Sequence, residues 1–254
     1  MIRAVIGLLG VYVFLAVATS SPFRALALEA VGLSVLWALY VARFTLDDPR
    51  ALAPEVLWFR ARDRLSRPRR DVIVFTGSST IAHWSSLQED MAPLSVLNRG
   101  INGARIDQIT HYVDRIIIPH GPQAVVLYAG ENDISGVLWS RKKTPAEVLS
   151  AFRAFCERIH ARLPNVPIHF ISIKPPKRRA SSAASFEAAN ELVKRHCASE
   201  ERLHFIDVVP ALLGADGQPR GFGWDGIHLN EEGYRILTSV VRPSLAAAYL
   251  SAAS

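Results

Sequence analysis

Cysteine is scarce. The chain of 254 residues holds only Cys156 and Cys197, and neither stands in a CxxC pair or near a histidine at metal-ligand spacing. A disulfide framework and a zinc site of ordinary spacing are thereby excluded. Cys156 shares a helical stripe with Phe152, Ile159 and Leu163, the place of a small core residue rather than a reactive thiol. Internal repeats and low-complexity tracts are absent, which excludes solenoids and compositional linkers. Acidic residues are outnumbered, 23 against 29 basic ones, for a formal net charge of +6. Such an excess can serve nucleic acid, but the basic residues fall in loops and flanks without interleaved stacking aromatics, so no nucleic-acid partner is expected.

Charge is missing altogether between Arg3 and Arg24. The uncharged stretch is as long as the roughly 20 residues a helix needs to cross the hydrocarbon core. A second apolar run, 25–42, carries only Glu29, and the short connector between the two contains Pro22. The pattern predicts a transmembrane helical hairpin over 1–45. The alternative is a signal peptide followed by one helix, since Ala16-Val17-Ala18 resembles a cleavage site. Arg43, Arg50, Arg60 and Arg62 follow the second run, and the positive-inside bias then places the remaining chain in the cytoplasm, at the inner membrane, with a periplasmic location as the alternative. Residues 46–70 read as a basic linker containing an amphipathic helix over 54–65.

From Asp71 onward, short apolar or β-branched runs alternate with helical patterns, the signature of a parallel sheet covered on both faces. Strands are expected over 72–75, 96–98, 124–128, 168–173 and 204–206, and helices over 105–117, 145–163, 182–199 and 231–250. The fold class is α/β, three layers around a five-stranded parallel sheet of flavodoxin-like type, forming one domain over 71–250. Right-handed crossovers bring the loops after the strands to one edge, where open α/β sheets bind ligands.

The chemistry-bearing residues lie in those loops. Gly77-Ser78-Ser79-Thr80 follows the first strand and opens a helix, where a serine hydroxyl sits beside unpaired backbone N–H groups. Asn102-Gly103 follows the second strand, and Gly103 lets a backbone N–H approach a bound oxygen. Asn132, after the third, offers an orientable amide donor. In the last connection Asp225 precedes His228 by three residues, so its carboxylate can hold one imidazole nitrogen and aim the other at a serine. Asn230 is a suitable N-cap for the final helix. Each piece alone has an ordinary reading as a turn or cap; their order along the chain is what is informative.

Together the loops resemble the SGNH hydrolase superfamily, also called GDSL-like, over 71–250, and within it a bacterial esterase and lipase subgroup that carries Gly-Ser-Ser and Gly-Glu-Asn-Asp. Ser78 stands where the wider family usually has aspartate. The resemblance implies Ser79 as nucleophile, Asp225 and His228 as its base pair, and an oxyanion hole from the N–H groups of Ser79 and Gly103 with the Asn132 side chain. It implies acyl transfer through an acyl-enzyme, with no metal and no organic cofactor. A membrane-tethered O-acyltransferase or deacetylase acting on an envelope glycan would use the same residues, and a catalytically inactive binding module is a third reading. Arg99, Arg105, Arg141, Lys142, Lys143, Lys174, Lys177, Arg178 and Arg179 flank the same loops. Of these, Arg105, Lys174, Lys177 and Arg178 are expected to form a substrate-binding basic rim favouring an anionic small-molecule or lipid acyl ester, such as a lysophospholipid or a thioester.

Overall fold

The computed structural model describes residues 26, 29–38, 48–65, 70–136, 140–178 and 180–249. The chain divides into two units, Met1–Leu46 and Asp47–Ser254. In the first unit residues 29–38 are helical, and Val31, Leu33, Leu36 and Trp37 are exposed. Among the described residues no helix is long and apolar enough to cross a membrane. Most of the hairpin expected over 1–45 lies outside the described residues, so the membrane-spanning part of the expected fold has no support from the structure.

In the second unit β1 (Ile73–Gly77), β2 (Val96–Gly100), β3 (Ala124–Tyr128), β4 (Ile168–Ile171) and β5 (Leu203–Ile206) form one sheet in the order β2-β1-β3-β4-β5. Every pairing is parallel. The helices in chain order are α1 (Ala53–Leu65), α2 (Ser79–Ala82), α3 (Leu87–Asp90), α4 (Ile106–Ile116), α5 (Glu131–Ser135), α6 (Pro145–His160), α7 (Ala183–Ala198), α8 (Val209–Leu212) and α9 (Glu231–Tyr249). The flavodoxin-like sheet expected from the alternation of strands and helices is therefore the one observed.

Side chains alternate across each strand, and helices bury both faces. Val74, Val125, Leu127 and Phe170 pack with Val56 and Phe59 of α1, Ile109 of α4, Phe152 of α6 and Phe186 of α7. Ile73, Phe75, Val126, Tyr128 and Ile171 pack on the other face with Ile81, Trp84, Leu237 and Val241. Burying one such side chain contributes about 1.5–3 kcal/mol. Local signals fix the helix ends: Thr144 Oγ1 accepts from the Glu147 N–H at 3.3 Å while Glu147 Oε2 accepts from the Thr144 N–H at 2.8 Å, a reciprocal cap ahead of Pro145. Asn230 caps α9 as expected, its Oδ1 accepting from the Gly233 N–H at 3.0 Å.

Several boundaries shift by a few residues from expectation, and two departures have a visible cause. β4 ends at Ile171 instead of 173 because the Asn190 side chain takes over the backbone groups of Ile173, donating to its carbonyl at 2.9 Å and accepting from its N–H at 2.8 Å. The segment after Gly130, expected as a loop, is the short helix α5, entered through a Gly130 φ of +110°.

Candidate active site

The turn after β1 is dictated by Gly77. Its φ is +143°, and a Cβ there would lie 2.0 Å from the Tyr128 carbonyl oxygen, so no other residue fits. The Ser78 N–H donates to that same carbonyl at 2.9 Å, and α2 then starts at Ser79. Ser79 is buried, at 9 % exposure, on the first residue of a helix. Among the described residues no hydrogen bond engages its N–H or its hydroxyl. The end of β2 braces this single turn. A Cβ on Gly100 would lie 2.3 Å from the Ala82 nitrogen, and Asn98 Nδ2 donates to the Ile81 carbonyl at 2.7 Å. Gly103, with φ +74°, sits in the following turn, where Asn132 Nδ2 donates to the Ala104 carbonyl at 3.2 Å. That bond uses one of two amide protons and leaves the second for a ligand oxygen.

The Asp225–His228 connection is equally determined. Asp225 Oδ1 accepts the N–H groups of Ile227 and His228 at 2.9 and 3.0 Å, and Oδ2 accepts from His228 Nδ1 at 2.6 Å. Partial burial works against the carboxylate charge, but these three bonds outweigh it and hold Asp225 down at about 2. An ionised Asp225 only accepts, so the His228 Nδ1 carries the proton of this bond and Nε2 is left unengaged by Asp225. The His228 ring lies 4.9 Å from that of His83, whose N–H donates to the Ser79 carbonyl at 2.8 Å. His83 follows Ser79 by one helical turn, so the ring contact brings His228 beside α2. Burial, then the neighbouring His228, lowers the His83 pKa, and Asp225 offsets part of that. Sequence reasoning passed over His83; its spacing of four from Ser79 was the available signal.

The basic residues divide. Lys177 and Arg178 are exposed, and the Arg178 N–H donates to the Gly226 carbonyl at 3.2 Å, which fixes them beside the Asp225 connection. Lys174 is not on a rim. It is 2 % exposed and ion-paired with Glu131, whose attraction, with that of Tyr128, overcomes the burial that would otherwise lower the ammonium pKa and leaves it raised. Arg105 is also buried, at the N-cap of α4, with Asp133 and Asp107 offsetting part of the burial that lowers its pKa. Lys143 bridges Asp107 and Asp133, at 2.9 Å each, and Arg99 pairs with Asp63 at 2.5 Å. The expected surface role of Arg105 and Lys174 is thus replaced by an internal one: a buried charge needs a partner, and both lie near carboxylates of α4 or α5.

A cavity of about 800 Å³ lies along the edge strand β2, between Trp58, Phe59 and Arg62 of α1 and Trp84, Leu97 and Asn102. It reaches Asn102, next to Gly103, but is not lined by Ser79 or His228. Among the described residues no group of three or more His, Cys, Asp or Glu is placed to hold a metal ion.

The GDSL-like Lipase/Acylhydrolase family profile matches residues 68–236, two thirds of the chain and all of the loops described above. The chain is similar to platelet-activating factor acetylhydrolase IB subunit alpha1 of Homo sapiens, 24 % identical over 175 residues that make up 66 % of this chain and 73 % of that protein. Among solved structures it is similar to a candidate platelet activating factor protein from Streptococcus pneumonia, with TM-score 0.67, 21 % identity and coverage of 85 % of this chain and 98 % of that one. A GDSL-like lipase from Bacteroides thetaiotaomicron aligns with TM-score 0.61 and 16 % identity over 76 % of this chain and 98 % of that one. The Gly-Ser-Ser turn, the Gly103 and Asn132 loops and the closing Asp-x-x-His all fall within the matched residues: the chain belongs to the GDSL-like lipase/acylhydrolase family and is an ester-hydrolysing enzyme.

Proposed function

We propose that hydrolysis proceeds through an acyl-enzyme on Ser79, with His228 as general base and Asp225 as the group that orients it. The observation that carries this reading is the 2.6 Å Asp225–His228 pair packed on His83, one turn from Ser79. His228 Nε2 takes the Ser79 proton, Ser79 Oγ attacks the ester carbonyl, and the protonated imidazole, supported by Asp225, returns the proton to the leaving alcohol. Water then repeats the sequence on the acyl-enzyme. The Ser79 and Gly103 N–H groups and the second Asn132 amide proton receive the oxyanion, each donor typically worth about 10²–10³ in rate. Ser79→Ala abolishes turnover of a neutral short-chain ester and Ser78→Ala retains it; equal activity of the two variants overturns the assignment.

The substrate in this reading is an acyl ester with an anionic neighbour. Exposed Lys177 and Arg178 beside the Asp225 connection support it, as does the kinship with a platelet-activating factor acetylhydrolase. The enzyme works at a membrane, held by the apolar runs 4–23 and 25–42. Support comes from α1, which exposes Leu57, Trp58 and Leu65 among the exposed Arg60, Arg62 and Arg64, a composition suited to an anionic interface. The arginines after 42 put the catalytic unit on the cytoplasmic side. A reporter fused after Ser254 then reads as cytoplasmic, and a periplasmic signal reverses the topology.

A further inference from the structure

Lys174 leaves β4 into the layer directly beneath α2. Its ammonium meets three partners contributed by two other strand exits. It is ion-paired with Glu131 of α5, lies 3.2 Å from the Tyr128 hydroxyl at the end of β3, and donates to Thr80 Oγ1 of α2 at 3.4 Å. The Tyr128 hydroxyl itself donates to Glu131 at 3.1 Å, and Tyr234 of α9 donates to the Thr80 carbonyl at 3.0 Å. The strand order places β1, β3 and β4 side by side, so one buried cation can reach all three exits. Thr80 follows Ser79 in the chain and Glu131 precedes Asn132.

A buried ion pair is a poor source of stability, because desolvation offsets most of its attraction and an apolar pair of the same volume often does as well. What an apolar pair cannot do is tether. Three ammonium protons directed at fixed acceptors set the distance between the backbone of α2 and that of α5. We propose that Lys174, held by Glu131 and Tyr128, is a positioning residue that fixes the separation between the Ser79 nucleophile and the Asn132 oxyanion donor. It touches no substrate and acts through Thr80 and Glu131. This inference rests on the roles proposed for Ser79 and Asn132.

The test compares Lys174→Met, Glu131→Gln and the double variant in the full chain, reading Tm, kcat and KM for a neutral short-chain ester, and the rate of serine phosphonylation by a fluorophosphonate. Lys174→Met alone leaves Glu131 buried and unpaired and is expected to lower Tm, so the double variant is the informative one. A misplacement of about 1 Å at a reacting centre can cost about 10²-fold in rate. The double variant is therefore expected to recover the wild-type Tm while kcat and the phosphonylation rate stay lower by about that factor, with KM within about twofold of wild type. Recovery of kcat together with Tm would show that the pair only balances charge and would overturn the proposal. A rise in KM at unchanged kcat would overturn it too, assigning Lys174 to substrate binding. Ser79→Ala runs beside these variants: if it retains turnover, the nucleophile assignment falls and this inference with it. If it is dead while the double variant is fully active, this inference falls alone.

Discussion

Along β3 the interior changes character within a few residues. From Ala124 to Leu127 the strand is sealed among apolar side chains on both faces. From Tyr128 onward buried polar and charged groups enter among the apolar ones: Glu131, Asn132 and Asp133, with Lys174 and Ser79 in the neighbouring connections. The middle of the sheet is held by area and shape, so its residues are exchangeable for others of like volume at modest cost. The C-terminal edge is held by directed bonds between loops, each of which places a particular atom. Stability should therefore reside mainly in the first region and turnover in the second, and substitutions in the two should separate the two properties.

The largest expected effect is at the edge. His228→Ala should lower kcat by several orders of magnitude, of the size seen when one member of a serine triad is lost, with Tm nearly unchanged. Steady-state kinetics beside thermal melts check this, and a parallel fall in Tm would break the separation. Phe152→Ala probes the interior from the other side. Phe152 is fully buried and packs edge-on against Phe170 at 5.0 Å, so its truncation should cost about 3–5 kcal/mol in denaturant unfolding while the kcat of the folded fraction stays near wild type.

The pH dependence of stability belongs to both regions. His169 is buried in β4, its Nε2 2.8 Å from the Tyr249 hydroxyl and its ring stacked on His204, and burial pushes its pKa down from 6.5 to about 3. The folded chain then binds fewer protons than the unfolded chain between those values, so stability is fully present above about 6.5 and is lost as pH falls toward 3. Asp225, lowered from 3.8 to about 2, adds a second decline between those values. Melts across this range should show His169→Phe flattening only the upper decline; a curve identical to wild type would remove His169 as its source.

How much of this was legible depended on the range of the interactions. The Asp-x-x-His connection and the Asn230 cap are set within a few residues, so residue type and spacing announced them. The sheet was legible because apolar runs alternate with helical periods. The fates of Lys174 and Arg105 were not, since both look like ordinary loop charges. What buries Lys174 is Glu131, 43 residues away, and no local pattern records that meeting. His83 was missed because its one signal, the spacing of four from Ser79, gains meaning only when His228 is seen against it. The smallest expected effect concerns the residues that did stay outside. Lys177→Ala with Arg178→Ala should reduce kcat/KM severalfold at low salt for an anionic ester and leave a neutral ester unaffected, because exposed charges act at long range and are screened. Equal responses of the two esters would leave the exposed pair without a role in substrate choice.

The most direct measurement is the site of covalent modification. The full chain, treated with a fluorophosphonate and digested, should yield a single adduct, carried by Ser79 and absent from the His228→Ala variant on the same time scale. An adduct on Ser78, or one that forms at the wild-type rate without His228, would contradict the assignment of Ser79 as a nucleophile activated by the Asp225–His228 pair.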